Sequence, residues 1–148
     1  MQTPVVVLFG GGMCLGQLMM QSGLAHALGT TLAAYVPAGN SPALVFIFCL
    51  LAVAVSETTS NTASANMVVP VVISIAQAAG IEPLLPALGA TLGASLGFML
   101  PVSTPCNAIV YGSGLVPLRS MMRYGIVLDL AGAAVVIAVV WILGPYVR

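Results

Sequence analysis

Hydroxyl and amide side chains are concentrated in two short segments of an otherwise apolar chain. The first is Ser56-Glu57-Thr58-Thr59-Ser60-Asn61-Thr62-Ala63-Ser64, and the second is Pro101-Val102-Ser103-Thr104-Pro105-Cys106-Asn107. Hydroxyl, amide and backbone carbonyl oxygens can coordinate a hard cation such as sodium, and free N–H groups at helix N-termini can bind an anion. The two segments therefore predict a binding site for ions.

The composition indicates that these segments lie in a membrane. Hydrophobic residues make up 60% of the 148-residue chain and charged residues 4%, whereas about 25% of residues are charged in an ordinary soluble domain. The chain contains no lysine and its formal net charge is zero, which excludes electrostatic binding of nucleic acid. We therefore predict a single all-α unit that crosses the cell (inner) membrane several times.

The first polar segment is predicted to form the tip of a re-entrant helical hairpin over residues 42–79. The apolar runs on its two sides, residues 42–55 and 65–79, are shorter than the about 20 residues of a spanning helix. Polar groups at the tip must contact protein or water, because each unsatisfied group in hydrocarbon costs several kcal/mol. The hairpin tip is therefore expected to be a ligand site near the membrane midplane.

The second polar segment interrupts an apolar stretch, residues 84–118, that is too long for one straight crossing. Pro101 and Pro105 each remove a backbone donor and clash with the preceding turn. A continuous, kinked helix is one interpretation. We favour two half-helices around an unwound loop, because a kink does not require the cluster of polar side chains found here.

The remaining residues divide into three further units. Residues 4–28 are predicted as a first helical segment, residues 29–41 as a connector, and residues 124–147 as a final spanning helix. Arg119 and Arg123 are expected in the loop before this helix, and their positive charge indicates the cytoplasmic side.

Two acidic residues have alternative interpretations. Asp129 is expected about one turn inside the final helix as an interfacial or helix-packing carboxylate, with a proton or cation relay as the alternative. Glu57 is expected at a polar or interfacial position, with proton coupling as the alternative.

Other classes of protein are disfavoured by the same sequence. The chain is not expected to be an enzyme, because its one histidine, His26, is remote from Ser113 and the Gly-x-Ser-x-Gly elbow of serine hydrolases is lacking. A channel is disfavoured because neither a ring of charges nor a repeated carbonyl-filter motif is visible. The three cysteines are far apart and are interpreted as small apolar side chains.

The polar motifs resemble those of the divalent anion/sodium symporter family. The resemblance rests on Glu57 to Ser64 and on Met99 to Gly114, and it extends to Leu8-Phe9-Gly10-Gly11-Gly12 and Ser22-Gly23-Leu24-Ala25. It implies secondary transport of a divalent anion, with Na+ as the coupling ion, no organic cofactor and an elevator-type motion. We favour a C4-dicarboxylate such as succinate or malate, with sulfate or citrate as the alternative.

The resemblance also implies roles for individual residues. The substrate-binding positions are Ser60, Asn61, Thr62, Ser64, Thr104 and Pro105. The sodium ligands are Ser56, Thr59, Asn61 and Ser103, of which Thr59 and Ser103 bind through backbone carbonyls. Cys106 is expected to line the same substrate loop.

Family members contain two inverted repeats, each with a hairpin and a broken helix, and this chain resembles the second repeat. We expect it to be the C-terminal part of a longer transporter that forms a homodimer. Half-size subunits that assemble with a second copy of opposite topology are one alternative, and a noncatalytic half-size assembly piece is another. The expected partners are a divalent anion and either the missing N-terminal repeat or a second copy of the chain.

Overall fold

All regular elements in the described part of the protein are helical, as the sequence predicts. The computed structural model describes residues 10, 14, 17–33 and 41–146. The helices with defined ends are α1 (Leu24–Ala33), α2 (Ser41–Thr58), α3 (Asn61–Ala78), α4 (Leu84–Ala94), α5 (Pro105–Gly112) and α6 (Leu118–Leu143), and a 3-10 turn follows at Gly144–Tyr146. Residues 4–9, 11–13, 15 and 16 of the predicted first segment, residues 34–40 of the connector, and residue 147 lie outside the described residues.

The predicted first segment, residues 4–28, does not continue unbroken to its predicted end. Residues 17–21 are helical, the chain turns at Ser22 and Gly23, and α1 then begins. Gly23 has a φ of 73°, a left-handed conformation that glycine adopts without a steric penalty and that ends a helix. Because α1 packs against α3, part of the predicted connector is a packed helix.

Helices α2 and α3 form a hairpin whose arms are joined by Thr59 and Ser60. Each arm contains 18 residues, or about 27 Å at a rise of about 1.5 Å per residue, because both helices continue into the polar segment. Helix α2 is long and apolar enough to cross a membrane. The expectation that both arms are too short is therefore wrong for α2, and the re-entrant path stays a prediction.

Helix α4 packs against both arms of the hairpin. A Cβ atom on Gly93 would lie 2.6 Å from the carbonyl oxygen of Cys49, and one on Gly89 would lie 2.9 Å from Cγ1 of Val45. Small residues four apart allow helix backbones to approach this closely in a membrane. Buried apolar residues fill the space between the three helices: Leu44, Phe48, Ala52, Val68, Val72, Ile75, Ala76, Ala90 and Ala94.

The chain is not helical between Ala94 and Pro105, so the continuous, kinked helix is wrong for this stretch. Thr104 is extended, with φ −139° and ψ 152°, and its Oγ1 accepts a hydrogen bond from the Asn107 N–H at 3.1 Å. Pro105 occupies the first position of α5, where a helix does not need its N–H group. These local preferences end the break and start the second half-helix.

The final helix begins at Leu118, earlier than the predicted residue 124. Pro117 precedes it in an extended conformation, and its carbonyl accepts hydrogen bonds from the N–H groups of Ser120 and Met121. Arg119 and Arg123 are exposed in the first two turns of α6 instead of lying in a loop. Helix α6 is the second described helix that is long and apolar enough to span a membrane.

Candidate functional site

The end of α2, the start of α3 and the break after α4 meet around Gly97. A Cβ atom on Gly97 would overlap Oγ of Ser103, and it would lie 3.2 Å from Oδ1 of Asn61 and 3.3 Å from Oγ of Ser56. Three side-chain oxygens from three separate segments therefore face one glycine. We call Ser56, Asn61, Gly97 and Ser103 the oxygen cluster.

Ser56 connects the members of the oxygen cluster. Its Oγ lies 2.7 Å from Oδ1 of Asn61 and 2.8 Å from the carbonyl oxygen of Ala94. Its own carbonyl oxygen accepts a hydrogen bond from the Ser103 hydroxyl at 3.0 Å. Because a hydroxyl group has one hydrogen, Ser56 can donate to only one of its two acceptors at a time. This excess of oxygen acceptors over hydrogens suits a bound cation.

Two asparagine amides hold the unwound segment in place. The Nδ2 group of Asn61 donates to the carbonyl oxygen of Ser95 at 3.1 Å, which directs Oδ1 toward Ser56. The Nδ2 group of Asn107 donates to the carbonyl oxygens of Gly97 at 2.8 Å and Leu100 at 3.1 Å. Backbone polar groups that a helix would have paired are thus satisfied by side chains.

Two helices begin beside the oxygen cluster. At the start of α3, Oγ of Ser60 accepts from the Ala63 N–H at 3.2 Å, and the Ser60 carbonyl accepts from the Ser64 N–H at 2.8 Å. The N–H groups of Asn61 and Thr62 therefore remain available for a ligand. Thr104 caps α5 in the same way. Helix N-termini carry partial positive charge, so the two starts favour an anion.

The structure places the predicted site residues in three groups. Ser56, Asn61 and Ser103 belong to the oxygen cluster, in which Ser103 is represented by its hydroxyl oxygen. The predicted role of the Ser103 backbone carbonyl stays a prediction. Four residues lie at the two helix starts, of which Ser60, Thr62 and Thr104 are half-buried and Pro105 is exposed.

The hydroxyl groups of two predicted residues are engaged elsewhere, although Thr59 is predicted to bind sodium through its backbone carbonyl. The Thr59 hydroxyl donates to the carbonyl oxygen of Val55 at 2.8 Å, at the hairpin tip. Ser64 is fully buried and its hydroxyl donates to the carbonyl oxygen of Ala52 at 2.8 Å, between the two arms. Their roles as sodium ligand and substrate contact stay predictions.

The sequence interpretation missed the residues that hold the middle of the break. Glu57 is buried, and its Oε1 and Oε2 accept hydrogen bonds from the N–H groups of Met99 and Leu100, both at 2.8 Å. Oδ1 of Asp129 accepts from the Phe98 N–H at 3.2 Å. The three consecutive N–H groups of residues 98–100 therefore donate to two carboxylates. The sequence signal that could have indicated this role was an acidic residue, Glu57, within a polar segment of an apolar chain.

The surroundings of Asp129 favour the interpretation of this residue as a helix-packing carboxylate. Because α6 begins at Leu118, Asp129 lies about three turns inside the helix, well beyond the first turn. It is 3% exposed, and its carboxyl group lies beside that of Glu57. Burial and the hydrogen bond from Phe98 support the helix-packing interpretation, in which Asp129 packs α6 against the break. The depth of Asp129 in the membrane and the proton or cation relay stay predictions.

The side-chain oxygens of the oxygen cluster are uncharged. Within residues 17–33 and 41–146, no group of three or more histidine, cysteine, aspartate or glutamate side chains is arranged to hold a metal ion. A transition metal would require such ligands. Hydroxyl, amide and carbonyl oxygens fit a weakly bound alkali cation.

Discontinuous helices with an unwound segment at the break are typical of one class of membrane proteins, the secondary transporters. The chain belongs to the family described as the sodium:sulfate symporter transmembrane region, whose model matches residues 2–147. This match confirms the family resemblance found in the sequence motifs.

Named relatives carry the same segment within longer proteins. The chain is 43% identical over 134 residues to solute carrier family 13 member 2 of Oryctolagus cuniculus, covering 89% of this chain and 22% of the relative. It is 39% identical over 144 residues to the sodium-dependent dicarboxylate transporter SdcS of Staphylococcus aureus, covering 97% of this chain and 27% of the relative. The chain thus spans about a quarter of the length of these curated relatives.

Proposed function

We infer that this chain supplies one half of the binding site of a transporter that couples sodium to a divalent anion. The observation that carries this proposal is the convergence of Ser56, Asn61 and Ser103 on Gly97, beside two helix N-termini. A C4-dicarboxylate such as succinate or malate is the proposed substrate, supported by the dicarboxylate named for the bacterial relatives.

The sodium ion would be held by oxygens of the hairpin tip and the break. The proposed ligands are Ser56, Thr59, Asn61 and Ser103. Both Oγ of Ser56 and Oδ1 of Asn61 already lie within hydrogen-bonding distance of other acceptors. A cation among these oxygens would attract their lone pairs and relieve the repulsion between them, while the Ser56 hydroxyl keeps its hydrogen.

The anion would bind at the starts of α3 and α5. The proposed contacts are Ser60, Asn61, Thr62, Ser64, Thr104 and Pro105. Neither polar segment contains lysine or arginine, so the charge of a dicarboxylate must be balanced by helix dipoles and by bound sodium. This need makes the binding of cation and anion mutually dependent and provides a physical basis for coupled transport.

The complete carrier would require partners for this half-site. We propose that the chain functions in the cell (inner) membrane as a multi-pass unit, together with an N-terminal repeat or a second copy of itself, in a homodimeric transporter. An elevator-type movement of the site is part of the same proposal. The coverage of about a quarter of each relative supports a need for further polypeptide.

Uptake of labelled succinate into proteoliposomes tests this proposal. The chain is reconstituted alone and with the upstream repeat, with and without a sodium gradient. We expect saturable, sodium-dependent uptake in at least one of the two assemblies. Asn61→Ala should abolish it because the variant lacks Oδ1.

Asn66→Ala is the matched control, since Asn66 is half-buried on the same helix and its side chain makes no hydrogen bond to a described residue. It should retain the activity. Sodium-independent uptake, or absence of uptake in both assemblies, would contradict the proposal. Equal losses of sodium-dependent uptake in Asn61→Ala and Asn66→Ala would show that Asn61 has no specific role in the site.

A further inference from the structure

We propose that Asp129 and Gly125 of α6 are positioning residues that set the sodium affinity of the oxygen cluster. They would do so by fixing the backbone of residues 97–100, which carries Gly97 against the cluster oxygens. This inference rests on the proposed function, because it concerns the same sodium site. Neither residue lies within the two polar segments.

The first contact is a hydrogen bond from the break to the final helix. The N–H group of Phe98, the residue after Gly97, donates to Oδ1 of Asp129 at 3.2 Å. Asp129 is 3% exposed, so water does not readily replace this acceptor. An unpaired backbone N–H group in a membrane costs several kcal/mol, and the segment would shift to satisfy it if Asp129 were removed.

The second contact is the close approach of Gly125, which lies on the same face of α6 as Asp129 because the two are four residues apart. A Cβ atom on Gly125 would lie 2.5 Å from Cα of Met99 and 2.6 Å from the carbonyl oxygen of Phe98. These are backbone atoms that cannot rotate away. The helix backbone therefore rests directly on the segment, and only glycine allows this distance.

Glu57 of α2 also holds residues 98–100, and it precedes this segment in the chain, whereas Asp129 and Gly125 follow it. The Glu57 carboxylate accepts from the N–H groups of Met99 and Leu100 at 2.8 Å, and Glu57 directly follows Ser56 of the oxygen cluster. Residues 98–100 are thus fixed between α2 and α6. Loss of the α6 contacts would leave the segment held by Glu57 of α2 and by Asn107 of α5, which donates to the carbonyl oxygens of Gly97 and Leu100. With fewer contacts, Gly97 could shift relative to Asn61 and Ser103.

The expected effect is on sodium affinity because cation ligands must keep fixed distances, whereas the helix starts that would bind the anion are capped locally by Ser60 and Thr104. Within the described part of the protein, neither Asp129 nor Phe98 makes a hydrogen bond to an oxygen of the cluster. Asp129 therefore acts on sodium through the Phe98 backbone and Gly97.

The test measures half-saturating sodium and half-saturating succinate in the assembly that is active in the uptake assay. Asp129→Ala should raise the half-saturating sodium concentration about tenfold. The maximal rate and the half-saturating succinate concentration, both measured at saturating sodium, should stay within about twofold of the parent. Asp129→Asn should keep half-saturating sodium, maximal rate and half-saturating succinate within about twofold of the parent values, because the amide oxygen of asparagine can still accept a hydrogen bond from the Phe98 N–H.

A pair of glycine variants provides an independent measurement if Asp129→Ala does not fold. Gly125→Ala should raise half-saturating sodium about tenfold or more. Gly132→Ala on the same helix should not, because the three atoms nearest to its Cβ would all belong to the flexible side chain of Leu96, with Cδ2 at 2.9 Å. Folding of each variant is checked by gel filtration in detergent.

Three outcomes would overturn the inference while the proposed function stands. These are unchanged sodium affinity in both Asp129→Ala and Gly125→Ala, equal impairment of Asp129→Asn and Asp129→Ala, and equal effects of Gly125→Ala and Gly132→Ala. Absence of sodium-dependent uptake in the parent protein is a different result, which overturns the proposed function and this inference with it.

Discussion

Oγ of Ser56, near the end of α2, lies 2.7 Å from Oδ1 of Asn61, the first residue of α3. The two arms of the hairpin are therefore joined at the tip by a side-chain contact as well as by the Thr59-Ser60 turn. The same Ser56 oxygen reaches the carbonyl of Ala94 at the end of α4. One hydroxyl group thus links three helix ends around the proposed sodium site.

Ser56→Ala should weaken sodium binding because it removes the oxygen that all three helix ends share. Loss of one such ligand is expected to raise half-saturating sodium about tenfold, measured as sodium-dependent succinate uptake. Ser74→Ala is the control, because Ser74 is also buried but its hydroxyl donates to the Pro70 carbonyl of its own helix at 3.0 Å. Similar sodium affinity in the two variants would argue against Ser56 as a ligand.

Gly97→Ala should abolish sodium-dependent uptake. The added Cβ would overlap Oγ of Ser103 and crowd Oδ1 of Asn61, so the oxygens could not keep a common distance to a cation. Gly112→Ala adds the same methyl group where nothing lies within 4 Å, and it should retain uptake. Normal sodium dependence in Gly97→Ala would show that the cluster is not the cation site.

Ser64→Ala separates a structural role of Ser64 from substrate binding. The Ser64 hydroxyl bonds to the Ala52 carbonyl inside the hairpin, so its removal should lower the free energy of unfolding by about 1–2 kcal/mol. Half-saturating succinate should rise if the hydroxyl turns to the substrate as proposed, and it should stay unchanged if the hydroxyl remains in the contact with Ala52. Thermal unfolding in detergent and uptake kinetics measure the two quantities, with Ser74→Ala again as the control.

A large increase in half-saturating succinate with unchanged unfolding would give the opposite answer for Ser64. It would place the hydroxyl at the substrate in a conformation that differs from the one described. The two readouts therefore decide between hairpin packing and substrate contact without relying on activity alone.

Alkylation of Cys106 should report occupancy of the substrate site. Cys106 is exposed at the second position of α5, next to Pro105, whereas Cys49 is buried. In a Cys14→Ser background, a maleimide should label Cys106 and leave Cys49 unmodified. Saturating succinate with sodium should slow the labelling several-fold, and sodium without succinate should protect less.

Equal labelling rates under all ligand conditions would remove Cys106 from the substrate loop. Protection by sodium chloride and by choline chloride to the same extent would indicate an ionic-strength effect instead of ligand binding. The comparison of the two salts at matched concentration is therefore part of the measurement.

Local chemistry was the most predictable aspect of this protein. The composition indicated membrane helices, and the prolines with Thr104 indicated a break that the structure places between Ala94 and Pro105. Helix ends were less predictable. Helix α6 begins at Leu118 because Pro117 can precede a first turn, and α2 continues through the polar Ser56, Glu57 and Thr58 because helix hydrogen bonds satisfy the backbone whatever the side chains are.

The sequence by itself determined that polar oxygens would gather at a hairpin tip and a helix break, since both features depend on residues close together in the chain. Only the tertiary structure decided which oxygens meet at Gly97 and which groups hold the break. The contacts of Asp129 with Phe98 and of Glu57 with Met99 join residues 31 and 42 positions apart. They pair a side chain with a backbone N–H, a group that every residue except proline carries, so no residue pattern marks the partner.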